Sequence, residues 1–134
     1  MSNRTPLFSV SDEIELLALW RLVAEAKFQE NPDDTDLWGS PYVHSLATRI
    51  AQAMLAFYVE NEDFDAIERH KHWLASLPDN VILPVVTSKL RKDASTNWWS
   101  VQSQTAKISY VRGCVAPFEP SDEFIKKLIT DAEA

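Results

Sequence analysis

Apolar residues recur at helical spacing along most of this chain, and short polar turns separate the runs. The first run follows an arm over residues 1–9. Ser11 reads as its N-cap, with Asp12 and Glu13 in the first turn, where the helix dipole favours anions. The run extends to about Gln29, yet Ile14, Leu16, Leu17, Leu19, Trp20, Leu22, Val23 and Phe28 spread over most of the circumference. A helix patterned this way is expected to be central and touched on several sides; the alternative is that one face serves a partner or a second copy of the chain.

Asn31 to Ser40, NPDDTDLWGS, is a polar and acidic loop that ends in a helix start. Ser40 is the expected cap, and Pro41 sits at the first helical position, where its missing N–H costs nothing. This second helix should run to about Glu60 with Val43, Ala47, Ile50, Met54 and Phe57 on one face. Ala47, Ala51, Ala53 and Ala56 would let a neighbouring helix come close. After the turn ENED, Asp63 should cap a third helix with Phe64, Ile67, Leu74 and Leu77 as its stripe and Pro78 as its end.

The next two segments are ambiguous. VILPVV is rich in β-branched residues and could be an edge strand, but Ile82, Val85, Val86 and Leu90 keep helical spacing, and proline is tolerated in a first turn. Asn97 to Val111 likewise fits one helix through Trp98, Val101 and Ile108, with Gly113 as its stop. Residues 113–120 form an extended link, and Ser121 caps a short last helix carrying Phe124, Leu128 and Ile129. The prediction is an all-α fold, a compact antiparallel helical bundle of five to six helices in a single domain over 1–134. The alternative is α+β, with a short strand pair from 81–87 and 107–112.

Composition narrows the function. With 134 residues and 46% hydrophobic side chains, the chain can build a core. The two glycines, Gly39 and Gly113, have no glycine neighbour at motif spacing, so the phosphate loops of ordinary nucleotide enzymes are excluded. A single cysteine, Cys114, rules out an intrachain disulfide. Acids precede the first long apolar stretch, the reverse of a signal peptide, and Leu16 to Trp20 is far short of the ~20 residues that span a bilayer. A cytoplasmic protein without a membrane partner is expected.

The net charge of −7 is unevenly spread: −9 over residues 1–68, +5 over 69–112 and −3 over 113–134. It works against nucleic acid as a partner. Two acidic groups stand out, Asp33, Asp34 and Asp36 in one loop and Glu60, Glu62, Asp63 and Asp65 at the following turn, and a full helix between them can put them at opposite ends. The bland reading is solvated loop tips; the sharper one is an anionic surface that competes for a basic groove. The basic middle segment is interleaved with Trp73, Trp98, Trp99 and Tyr110, the residue types of a single-strand nucleic-acid platform, although core tryptophans beside a solvated helix end explain them more cheaply. Trp98 and Trp99 cannot face the same way, and Trp38 and Trp99 are taken as candidate binding residues beside the acids.

Candidate chemistry is sparse. Asp34 to Gly39 starts like a calcium loop, but Ser45 stands where a bidentate glutamate belongs. His70 and His72 point about 200° apart on a helix and cannot chelate one ion. His72 is expected to pair with Glu68, His70 to be partly buried and hydrogen-bonded, and His44 to be exposed. Cys114 reads as a small buried hydrophobe rather than a nucleophile. No cofactor, metal or catalytic residue is assigned. The reading that follows is a non-enzymatic protein-binding module, an inhibitor or immunity-type protein of the kind small mobile elements carry, that blocks a site on a larger, possibly nucleic-acid-binding protein. A nucleic-acid-associated protein using 69–112 and a small enzyme with an unrecognised site are the alternatives.

Overall fold

The computed structural model describes residues 5–78 and 81–134; the first part of the arm and Asp79 and Asn80, at the start of the ambiguous segment, lie outside the described residues. Among the described residues the chain forms seven helices and no strand. They are α1 (Glu13–Lys27), α2 (Pro41–Glu60), α3 (Phe64–Leu74), α4 (Ile82–Ala94), α5 (Asn97–Ser100), α6 (Gln104–Val115) and α7 (Asp122–Glu133). The strand pair is therefore not formed: α4 and α6 take up those residues. Ile82, Val86 and Leu90 lie along one face of α4, and the last two are fully buried, a burial that outweighs the β-branched preference of VILPVV.

Hydroxyl and carboxylate caps set most helix starts. Asp12, one residue beyond the expected Ser11, accepts the Ile14 N–H at 2.8 Å, while Ser40, Asp63 and Ser121 cap α2, α3 and α7 as expected. The helix expected over 97–111 is two helices, because Thr96 and Ser103 each accept a backbone N–H and start a separate one. Gly113 does not stop α6. It lies inside the helix with an ordinary φ, and a Cβ there would run into the His44 ring, so the glycine serves the close approach of α2 to α6. Ala47 and Ala51 are buried along that same helix, whereas Ala53 and Ala56 face solvent.

The main core lies among α4, α5, α6 and α7. Val86, Leu90, Trp99, Val111, Val115, Ile125 and Ile129 fill it, and Phe28, Trp38 and Phe118 enter from the connections. The 113–120 link is thus largely core: Ala116, Pro117, Phe118 and Pro120 are buried. Phe118 meets Trp73 and Trp20 edge to face at 5.1 and 6.3 Å, which ties the link to α3 and α1. Both ends of α7 are pinned to α6. Arg112 pairs with Asp122, and Lys107 with Glu133 at 2.7 Å. α1 packs on α2 and is not central: Ile14 and Leu22 on its outer side are exposed.

Trp99 is 2% exposed and its neighbour Trp98 48%. Trp99→Ala should therefore cost about 3–5 kcal/mol in urea denaturation, and Trp98→Ala less than about 1 kcal/mol. Equal costs would contradict this packing.

Candidate functional site

The two acidic groups named from the sequence are far apart. Asp33, Asp34 and Asp36 precede α2, and Glu60 to Asp65 follow it; 20 helical residues, roughly 30 Å of rise, separate them. The helix pair adds a second set of acids to the latter group. α1 runs antiparallel to α2, so Leu17 and Trp20 share a cavity with Met54 and Tyr58, and the start of α1 lies at the same end as the α2–α3 turn. Asp12, Glu13, Glu15, Glu60, Glu62, Asp63 and Asp65 are all exposed at that end. Large apolar side chains stand among them in solvent: Ile14 at 76% exposure, Phe64 at 72%, and Val59 and Leu17 less so. Phe64 was expected in the α3 stripe; it lies in the first turn of α3, outside the core. Glu62 turns the chain through a positive φ of 53°. At the other end the acidic loop is closed on itself by the Asp36 N–H, which donates to Asp34 Oδ1 at 2.9 Å.

Trp38 and Trp99, the candidate binding residues of the sequence, are buried at 6% and 2% exposure. The Trp38 indole N–H donates to Asp93 Oδ2, and that of Trp99 to Glu133 Oε2, both at 2.9 Å. Each indole is amphipathic enough to be buried once its single donor has a carboxylate. The basic-aromatic stretch does not assemble as one surface. Trp98 packs on Tyr110 at 4.9 Å, Lys107 and Arg112 are paired with acids of α7, and Lys89 is buried. Glu68 pairs with Lys71 at 3.8 Å, while His72 is exposed.

A buried polar cluster lies at the loop end of α1, and the sequence did not flag its key member. Lys27 is completely buried at the last turn of α1, and its Nζ donates to the carbonyls of Gly113 and Ala116 at 2.9 Å and to that of Cys114. The only sequence signal was one cation between Ala26 and Phe28 in the segment VAEAKF, which a solvated helix end explains equally well. Burial pushes the Lys27 pKa down to about 7. His44, expected in solvent, is half-buried between Gly113 and the Trp38 carbonyl, which its Nε2 meets at 2.8 Å; burial lowers its pKa. Cys114 is buried, and its thiol is pushed up to about 12, so it is held as an unreactive thiol. Asp93 Oδ2 also accepts the Tyr110 hydroxyl at 2.9 Å.

His70 is buried as expected, but among the described residues its Nε2 has no hydrogen-bond partner; burial lowers its pKa, opposed by the Ala51 carbonyl. The ring lines two surface cavities of about 370 and 300 Å³. Among the described residues no three His, Cys, Asp or Glu side chains converge to hold a metal, and no helix is long and apolar enough to cross a membrane. Compared with protein-family models, curated proteins and solved structures, the chain matches none.

The Lys27 shift fixes a pH dependence. The unfolded chain regains the ordinary value of 10.5, so between pH 7 and 9 it binds more protons than the folded state, and stability rises with pH. The slope is at most about 1.4 kcal/mol per pH unit. Above pH 9 the raised Cys114 thiol acts in the opposite sense. Lys27→Met should flatten the slope and leave buried carbonyls without a donor. Its deficit should reach about 2–4 kcal/mol at pH 9 and shrink toward pH 7. Urea denaturation across this range checks it; an unchanged slope in the variant would contradict the assignment.

Proposed function

We propose that this chain is a non-enzymatic protein-binding module whose working surface is the acidic end formed by the start of α1 and the α2–α3 turn. The observation that supports this reading is the pairing of exposed Ile14, Leu17, Val59 and Phe64 with seven exposed carboxylates at one end of the molecule. Apolar side chains left in solvent cost free energy that a partner recovers by covering them, and apolar contacts within a charged rim are a common interface design. The rim's sign selects the partner's chemistry: a protein whose basic surface frames an apolar groove. Blocking that groove would make the chain an inhibitor or immunity-type protein, and a groove that otherwise takes nucleic acid has the required charge. The acidic loop at 33–36 faces the opposite end and is outside this surface.

A photoreactive residue placed at Phe64, with a second at Thr130 on α7 as control, tests the reading in the cells that express the protein. The expected result is adducts with a basic protein from position 64 only. High salt and the triple variant Glu60→Lys, Glu62→Lys, Asp65→Lys should reduce them at least tenfold. Adducts equal at both positions, or insensitive to charge reversal, would overturn it. Circular dichroism of the triple variant establishes that it folds.

A further inference from the structure

The loop that leads from α1 to α2 does not seal against α4. A cavity of about 320 Å³ lies between them, lined by Asn31, Thr35 and Trp38 from the loop and by Lys89 and Lys92 from α4. Lys89 is 7% exposed, yet its ammonium makes one marginal hydrogen bond, to the Glu30 carbonyl at 3.5 Å. Its Nζ also lies 5.6 Å from the centroid of the Trp38 ring, and the Asp93 and Glu30 carboxylates act on it without forming an ion pair. An ammonium has three donors, and a buried charge is ordinarily paired. Among the described residues neither Lys89 nor Lys92 takes part in an ion pair; burial and Lys92 lower the Lys89 pKa, against the opposing pull of Asp93 and Glu30.

Two carboxylates also border the cavity. That of Asp93 already accepts the Trp38 indole and the Tyr110 hydroxyl on one oxygen, and Glu30 is exposed. The lysines one turn apart, Asn31 and Thr35 thus line one cavity, and among the described residues none of their side chains donates to a carboxylate. We propose that this cavity binds a small phosphomonoester, its oxyanion held by Lys89 and Lys92 with Asn31 and Thr35. Several acceptor oxygens on one tetrahedral group match several converging donors. The volume is at the low end of ligand sites and leaves space for a small organic body beyond the phosphate. Asp33, Asp34 and Asp36 on the same loop repel anions at long range, so binding rests on the short-range donors.

The cavity is at the opposite end from the acidic surface proposed above, so either assignment stands if the other fails. The test is a titration of the full-length ¹⁵N-labelled protein with inorganic phosphate and with glycerol 3-phosphate, against sodium chloride at matched ionic strength. The Trp38 indole and the Asn31 and Thr35 amides should shift and saturate with both phosphates and stay in place with chloride. Glycerol 3-phosphate should bind at least as tightly as inorganic phosphate. Lys92→Gln, at an exposed position, should weaken binding at least tenfold, and Lys89→Met should abolish it. Shifts that never saturate, equal shifts with chloride, weaker binding of the ester, or wild-type affinity in Lys92→Gln would each overturn the proposal.

Discussion

At the end of α6 the Gly113 carbonyl accepts the Ala116 N–H at 3.1 Å, but among the described residues the carbonyls of Cys114 and Ala116 accept no backbone N–H. A lysine 86 to 89 positions earlier in the chain donates to all three. Lys27 reaches them only because α1 ends beside α6, and α6 admits the approach because Gly113 leaves room for the His44 ring. His44 in turn holds the Trp38 carbonyl, and the Trp38 indole holds Asp93, which also receives Tyr110. One buried cation thus sits at the centre of a network joining α1, α2, the loop between them, α4 and α6. The geometry is costly, since burial disfavours the charge, and it is tolerated because the alternative is buried carbonyls without donors.

The two ends of the molecule differ for this reason. At the Lys27 end Lys27, His44, Trp38 and Tyr110 each have a hydrogen-bond partner, while the Lys89 ammonium stands over its cavity. At the other end the chain leaves Ile14 and Phe64 in solvent and surrounds them with carboxylates. Caps account for only part of that charge. Asp12 and Asp63 each accept a backbone N–H, but Glu13, Glu15, Glu60, Glu62 and Asp65 make no ion pair among the described residues. Crowded like charges beside exposed apolar groups oppose folding slightly and favour association with an oppositely charged surface.

Much of the fold was legible because its signals are local. A hydroxyl or carboxylate followed by an apolar run marks a helix start wherever the chain folds, and Ser40, Asp63 and Ser121 act as caps as their sequences indicate. Helical spacing in VILPVVTSKL likewise outweighed its β-branched content, because one face of that segment meets α7. The candidate surface was legible in part: Glu60 to Asp65 stood out as a charge cluster, but Ile14, Val59 and Phe64 did not. Each sits in a run that also holds less exposed apolar members, and only packing determines which member is left out. The burial of Trp38 and Trp99 was not legible for the converse reason. Whether a tryptophan is a contact or a core residue depends on whether its N–H finds an acceptor inside, and both acceptors, Asp93 and Glu133, are distant in sequence.

By itself, then, the sequence determined the all-helical class, most of the helix starts and the uneven charge, because caps, periodicity and composition act within a few residues of one another. The tertiary structure decided how Gly113 is used, which of two adjacent tryptophans is buried, and that Lys27 is an internal cap. It also decided which acids share an end. The antiparallel packing of α1 on α2 brings Asp12, Glu13 and Glu15 beside Glu60 to Asp65 and sends Asp33 to Asp36 away from them. A helix pattern states what a segment buries but not against what, so the company each residue keeps is set by packing between segments far apart in the chain.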